Sequence, residues 1–482
     1  MRNGEGTLMP QVLIVGGGPT GMMLAAELRL HGVETTVLEK QEGPSPLVRA
    51  LGLQPRSVEI MDARGLLDRF LAEGTPYPQA ALSFAGIPAA PGVVLDSAHP
   101  YLLGIPQPAT DRILADRARE LGAHVRRGAE VTGIAQETDG VEVRLADGSA
   151  VQAAWVVGCD GGRSTVRRRM GIDFPGEPAE TEWLLAEVEL TASADEVAAV
   201  SAEVRRTHRG FGVGPTGDGA FRAVVPAASV SEDRTAPPTI EEFRARLRAF
   251  AGTDFGAHSP RWLSRFTDAT RIAARYRSGR VLLAGDAAHV HPPLGGQGLN
   301  LGVQDAVNLG WKLAATVAGW APDGLIDTYE RERRPVAADV VGLTRAQSVL
   351  IAPEPGPQSV RALLTDLMRF EDVSRYLVER AAGLGVRYDL GDPDPLVGRR
   401  APDLPVGGGR LYDLLHGGRG VLLDPHGGTT ASGWEGRVDR VEVAADAGCA
   451  MLLRPDGHVA WRGADPEGLR AALVRWFGEP TD

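Results

Sequence analysis

The polar and apolar positions change period sharply from segment to segment. From Gln11 the chain reads QVLIV, then GGGPTG, then MMLAAELRLHG, then VETTVLEK. A short apolar run bounded by glycine fits a buried strand, and the central stretch carries apolar residues at helical spacing. The pattern therefore predicts strand, turn, helix and strand, a βαβ unit. Gly32 ends the helix because glycine tolerates a left-handed backbone. Residues 1–9 read as a disordered leader.

Helical spacing returns in QPRSVEIMDARGLLDRF, predicting a helix between Arg49 and Phe70. Residues 73–110 are rich in Gly and Pro and predict short strands and loops, followed by a helix in DRILADRARELG. Alternating strands follow, with turns at Asp139-Gly140 and Asp147-Gly148. Residues 178–270 read as strand-rich with one helical insert near 240–250. RVLLAGDAAH is a buried strand running into a helix start, and long helices follow, one of them over 325–351. A Pro- and Gly-rich linker spans 391–410, and strand-and-turn text ends in the helix EGLRAALVRWFG. The chain thus divides into 10–177 with 268–390, an interleaved block at 178–267 with parts of 73–110, and a separate unit at 395–482. There is no internal repeat.

Gly16, Gly18 and Gly21 form GxGxxG between a strand and a helix. The first glycine permits the tight turn, the second lets backbone approach a pyrophosphate, and the third lets helix and strand pack closely. Phosphate then meets free N–H groups at the helix start. Glu39 ends the second strand, 18 residues after Gly21, where a carboxylate accepts hydrogen bonds from a ribose diol. A second GxGxxG, at Gly212, Gly214 and Gly217, leads into an alternating strand and reads as a hairpin, so there is one dinucleotide unit. Two further segments, CDGGRSTVRR from Cys159 and RVLLAGDAAHVHPPLGGQGLN from Arg280, each place an acid after a buried strand. Asp286 could hold a ribityl chain there, and PLGGQGLN could offer N–H groups to the pyrimidine side of an isoalloxazine.

Composition narrows the picture. Hydrophobic residues make up 43% and charged residues 23% of 482, enough for sizeable cores and unlike a disordered chain. Net charge is −11, from 51 basic and 62 acidic residues, which disfavours nucleic acid as a partner. Cys159 and Cys449 are the two cysteines; there is no CxxC and no zinc spacing. QVLIV is too short to span a bilayer, so a soluble cytoplasmic protein without a membrane partner is expected.

GGGPTG, Asp160-Gly161 and Gly285-Asp286 occur with YERERRPVA (Tyr329 to Ala337) and the C-terminal LLRPDGHVAW. On these residues the chain resembles the single-component FAD-dependent aromatic hydroxylases, the group A flavoprotein monooxygenases. Within them it resembles the aromatic-polyketide hydroxylase and rifampicin monooxygenase branch, most closely in DSAHPYLLGIPQ and EVRRTHRGFGVGPTGDGAFR. The resemblance implies an α/β chain: a Rossmann-like FAD-binding domain (10–177 and 268–390), an interleaved β-sheet substrate domain (178–267) and a C-terminal thioredoxin-like domain (395–482) without redox cysteines. Gly16, Gly18, Thr20, Gly21, Glu39 and Lys40 would meet the adenosine and pyrophosphate of FAD. Arg49, Gln107 and Val131 join them, with Asp286 at the phosphate and ribityl portion and Gly298, Leu299 and Asn300 beside the ring.

The substrate side of the resemblance falls on Phe84, Arg205, Arg222, Pro293 and Gly296. Arg205 and Arg222 lie in strand-rich text and either bind a polar or anionic substrate or form surface ion pairs. Phe84 either lines the same cavity or fills core. His289 and His291 form HVH without a third ligand, so no metal is expected and a structural or flavin-lining role is favoured. Arg167-Arg168-Arg169 reads as a solvated face, one member of which could attract NAD(P)H phosphates. The activity implied is NAD(P)H- and O2-dependent hydroxylation of an electron-rich ring through a C4a-hydroperoxyflavin, with no catalytic base assigned. The substrate would be a small aromatic molecule: a rifamycin-type naphthalene, as in antibiotic resistance, or a polyketide in antibiotic biosynthesis. Baeyer–Villiger oxygen insertion and a flavin-binding protein without turnover stay open as alternatives, as does a homodimer.

Overall fold

The computed structural model describes residues 10–481 apart from 79–81, 234–235, 426, 428–430 and 444–447. The expected leader at 1–9 lies outside the described residues.

The apolar run Val12–Val15 is wholly buried and pairs in parallel with Thr35–Glu39 on one side and Trp155–Gly158 on the other. His124–Arg127 extends this sheet beyond Thr35–Glu39, and Val281–Leu283 extends it beyond Trp155–Gly158, both in parallel. Arg277–Ser278 closes the far edge antiparallel. Strands buried on both faces need continuous apolar text, which is what VLIV, WVVG and VLL supply. The helices Pro19–Leu30, Gln107–Glu120 and Gln297–Ala318 pack around the sheet. Each of the first two has proline in its first turn, where a missing N–H costs nothing. A three-stranded antiparallel sheet, 131–153, stands beside them.

A four-stranded antiparallel sheet forms a second layer, in the order Gly212–Pro215, Phe221–Pro226, Glu182–Glu189, His258–Thr267. The second GxGxxG is the hairpin between its first two strands. Leu184, Ala186 and Val188 face a core roofed by two helices, Ala194–Arg205 and Ile240–Ala251. The sequence pattern predicts one helical insert here; the other starts at Ser193, whose hydroxyl accepts the Glu196 N–H at 3.3 Å. Leu185, Val224, Trp262 and Phe266 point the other way, against Leu47 and Val48.

Two helix boundaries differ from the sequence reading. The helix expected between Arg49 and Phe70 is extended at Gly52–Leu53, helical over Pro55–Asp62, and helical again over Leu67–Leu71. Pro55 opens the first of these helices at a position where its missing N–H is not needed, and its ring disfavours a helical residue before it, so Gln54 is extended. The helix expected over 325–351 runs Thr328–Ile351.

In the last segment a sheet ordered Val438–Glu442, Gly420–Asp424, Ala450–Leu453, Val459–Gly463 packs on the helix Pro466–Phe477. Its core shares Trp311 and Ala315 of the Gln297–Ala318 helix and Leu325 of the turn after it, so this unit is seated on the first rather than tethered to it. Among the described residues no helix is long and apolar enough to cross a membrane.

Candidate active site

Gly16 sits at φ +108°, and a Cβ there would stand 2.3 Å from the Cys159 carbonyl oxygen. A Cβ on Gly21 would stand 2.0 Å from the Gly16 oxygen. A Cβ on Gly18 meets nothing within 4 Å: this glycine faces open space. The first and third glycines are thus demanded by packing. The second leaves room that the protein does not fill.

Gly18 is the N-cap of the helix Pro19–Leu30, with no side-chain cap and no acid in the first turn. The helix start carries free N–H groups and partial positive charge that no side chain of its own first turn caps. The helix Gln297–Ala318 begins in the same way: its N-cap is Gly296, without a side-chain cap and without acid in the first turn. Gly295 and Gly296 both lie in the left-handed region, at φ +68° and +65°, a backbone that turns successive N–H groups to one side. Thr20 seats the two helix starts together. A Cβ on Gly302 would stand 2.2 Å from Thr20 Oγ1, and one on Gly285 would stand 2.7 Å from it.

Acids flank these positive ends. Glu39 accepts the Gly17 N–H at 2.7 Å and the Gln41 N–H at 2.8 Å, so its carboxylate is fixed beside the glycine turn. Asp286 is the exposed member of the otherwise buried run Val281–His289. Its Oδ1 and the His291 Nε2 lie 3.8 and 4.0 Å from where a Cβ on Gly298 would be. His291 Nδ1 is 2.9 Å from the Pro292 carbonyl oxygen, a contact that requires Nδ1 to carry the proton. Burial lowers the His291 pKa, and its Nε2 lies on the Gly298 side of the ring. Asp160 spends one oxygen on the Thr165 and Val166 N–H groups, at 2.6 and 3.1 Å, while its buried Oδ1 has no partner. Two bare helix ends, a glycine facing open space and an orphaned carboxylate oxygen fit a dinucleotide cofactor.

Two other expected residues, Asn300 and Gln107, are held by partners within the chain. Asn300 is buried; its Oδ1 accepts the Gln54 N–H at 2.9 Å and its Nδ2 donates to the Gly296 carbonyl at 2.8 Å. It locks the glycine turn rather than presenting a free amide. Gln107 Oε1 accepts the Ala50 N–H at 3.2 Å, bracing the segment that holds the exposed Arg49. Lys40 is exposed, Leu299 is half-buried, and Val131 is core at the start of Val131–Gln136. Pro293 and Gly296 are exposed on the turn before the long helix. His289 is wholly buried, with Nε2 2.7 Å from Asp305 Oδ2, and among the described residues no three His, Cys, Asp or Glu side chains gather as metal ligands.

On the four-stranded sheet, Arg222 projects from Phe221–Pro226 and donates to Glu187 at 3.3 Å, while Arg261 reaches the same carboxylate at 3.1 Å. Trp183 and Phe266 stack at 5.4 Å on this face. Arg205 is not in a strand. It ends the helix Ala194–Arg205, exposed, on the element covering the opposite face of the sheet. Phe84 is 3% exposed in a cluster with Leu343, Leu350 and Val378, which is core filling. Its neighbour Ala85 takes φ +52°, its N–H held by Gln347 at 3.2 Å and its carbonyl by Arg361 at 2.7 Å.

Arg167 departs from the sequence reading, and Asp111 is a residue that reading missed. Arg167 is not solvated: it is 5% exposed, lies 3.7 Å over the Phe174 ring and donates to the Ala287 and Gly162 carbonyls at 2.8 Å each. It ties the Asp160-Gly161 loop to the Gly285-Asp286 turn, a long-range pairing that a run of arginines does not announce. Asp111, one turn after Gln107, carries a buried oxygen without a partner, and burial pushes its pKa up to about 6. The i,i+4 spacing from Gln107 was its one signal.

A family model described as FAD binding domain matches residues 9–344, and one described as Aromatic-ring hydroxylase, C-terminal, matches residues 394–480. The chain belongs to the FAD-dependent aromatic-ring hydroxylases, and it is a flavoprotein monooxygenase. Within that class it is 57% identical over 475 residues to the rifampicin monooxygenase of Streptomyces venezuelae, covering 98% of this chain and 100% of that one. It is 56% identical over 476 residues to the rifampicin monooxygenase of Rhodococcus hoagii, 98% of each. Among solved structures it resembles the anhydrotetracycline hydroxylase of Streptomyces rimosus, with a TM-score of 0.89, 44% identity and coverage of 98% of this chain and 100% of that one.

Proposed function

We propose that the protein hydroxylates an electron-rich aromatic ring of a rifamycin-type or related polyketide, using NAD(P)H and O2. The observation that carries this reading is the 57% identity to a rifampicin monooxygenase over 98% of the chain. Bound FAD would supply the oxygen activation, with NAD(P)H as the reductant. The chain's own residues bind, orient and exclude water. Gly16, Gly18, Thr20, Gly21 and Glu39 hold the adenosine and pyrophosphate half at the first helix start, with Lys40, Arg49, Gln107 and Val131 around it. Asp286, Gly298 and Leu299 hold the ribityl and ring portion at the second helix start, which Asn300 keeps in shape.

The half-buried Trp183, Val224 and Phe266, with Arg222 at the polar end of the same face, form the surface offered to the substrate ring, over the buried Leu185 and Trp262. This reading takes 178–267 as the substrate domain, 10–177 with 268–390 as a Rossmann-like cofactor domain and 395–482 as a thioredoxin-like appendage. Steady-state NADPH oxidation in air tests turnover. Oxidation stimulated by an aromatic polyketide is the expected result. A flavin-loaded protein that consumes no NADPH with or without such a ligand would reduce it to a flavin-binding protein.

A further inference from the structure

The C-terminal segment LLRPDGHVAW carries charged residues into the interior of the flavin-binding domain. Arg454 is 0% exposed and Asp456 4%. Arg454 makes a bidentate pair with Glu332 of the Thr328–Ile351 helix, at 2.8 and 2.7 Å. Glu332 also accepts from Lys312 Nζ at 2.8 Å and from Asn308 Nδ2 at 2.7 Å. Asn308 Nδ2 reaches Asp456 Oδ2 as well, at 3.2 Å, and Asp456 closes back on Arg454. Trp476 lies 4.7 Å and Tyr388 5.3 Å from the Arg454 guanidinium, shielding it from water. Buried ions of this kind hold geometry more than they add stability, since desolvation offsets most of their attraction.

What they hold is the helix Gln297–Ala318. Asp305, Asn308 and Lys312 stand one turn apart on its buried face, and its first turn is the second bare helix end of the active site. Asp305 accepts the Gly285 N–H at 3.1 Å and Arg333 Nε at 2.7 Å, and Arg333 reaches the Tyr388 hydroxyl at 3.1 Å. The same C-terminal turn also reaches the other cofactor helix. The Pro455 carbonyl accepts Arg64 at 2.8 Å, and Arg64 grips Glu27 of Pro19–Leu30 at 2.7 and 2.9 Å. Glu27 is in turn seated where a Cβ on Gly310 would stand 2.4 Å from it. One turn, Arg454 to Gly457, therefore touches the supports of both helices whose starts form the cofactor cradle.

We propose that Arg454 and Asp456 are positioning residues for the flavin: the C-terminal unit sets the relative placement of the two cofactor-binding helix starts. Its function is then mechanical, which accounts for a domain without paired cysteines fused to a flavoenzyme. The inference rests on the FAD reading above.

The test uses the full chain with Arg454→Lys, which keeps the charge but loses the bidentate fork, and Asp456→Asn, which keeps the shape. Leu469→Ala is the control, because Leu469 is buried in the C-terminal core and makes none of these polar contacts. FAD affinity is measured by flavin fluorescence, the bound-flavin absorption band is recorded, and apoprotein melting is followed separately. All three variants are expected to melt earlier. The two polar variants are expected to weaken FAD binding about tenfold, within the range of inter-site couplings, and to shift the flavin band, while Leu469→Ala changes neither. Arg454→Lys and Asp456→Asn with wild-type FAD affinity and spectrum would make the contacts merely structural and overturn the inference alone. Wild-type protein that takes up no FAD would overturn the flavin reading and this inference with it.

Discussion

Glu39 Oε2 accepts the Gly17 N–H at 2.7 Å, across 22 residues of chain. The same carboxylate takes the Gln41 N–H at 2.8 Å, so the acid at the end of the second strand is preorganised against the glycine turn. Hydrogen bonds to a charged acceptor contribute about 1.5–3 kcal/mol each. Glu39→Ala is therefore expected to weaken FAD binding at least about tenfold, and to cost the apoprotein at least about 1.5–3 kcal/mol, since both of these bonds are lost. Fluorescence titration and chemical unfolding measure the two separately, and unchanged FAD affinity would remove Glu39 from the cofactor site.

The glycines of the first turn separate folding from binding. Gly18→Ala adds a methyl where the chain itself has nothing within 4 Å. The apoprotein should melt like wild type yet retain little FAD. Gly21→Ala forces a Cβ to 2.0 Å from the Gly16 oxygen and should yield little soluble protein. Equal FAD loading of Gly18→Ala and wild type would contradict the reading of that open space as the pyrophosphate seat.

Asp286 makes no hydrogen bond within the described chain that fixes it, and it is exposed between buried neighbours. Asp286→Ala should leave the melting temperature of the apoprotein within about a degree or two, since surface substitutions usually cost under roughly 0.5 kcal/mol. It should purify with much less flavin. Full flavin occupancy in this variant would displace Asp286 from the cofactor.

His458 supplies a pH dependence with a definite sign. Burial holds its pKa down to about 4 from 6.5, and Asp456 opposes that only in part. Between those values the unfolded chain takes up a proton that the folded chain refuses. Its contribution to stability is complete above about pH 6.5 and is lost as pH falls towards 4. The full effect is on the order of 3 kcal/mol, at about 1.4 kcal/mol per unit. Unfolding midpoints measured from pH 7 to pH 4 should fall less steeply in His458→Gln than in wild type; parallel curves would refute this assignment.

Local signals carried the sequence a long way. The strand, glycine turn and helix from Val12 to Leu30 were legible because periodicity, proline at the helix start and glycine packing act within one βαβ unit. The helix at Ala194–Arg205 was legible in principle, through Ser193 and Glu196 at capping spacing, but its apolar stripe is thin: Val197 and Ser201 are its buried residues. Relations across the chain were not legible. Nothing near Arg167 indicates that its partners are the Gly162 and Ala287 carbonyls. Nothing near Arg454 indicates that its partner is Glu332, 122 residues away. A charge run looks the same in sequence whether it ends in solvent or in the core, because the difference is made by distant backbone and aromatic rings.

The measurement that tests the central claim most directly is the product mass after the flavin-loaded protein is incubated with NADPH, air and rifampicin. The account predicts consumption of rifampicin and a product heavier by one oxygen atom. Unchanged rifampicin from a flavin-loaded protein that oxidises NADPH would contradict the rifamycin reading.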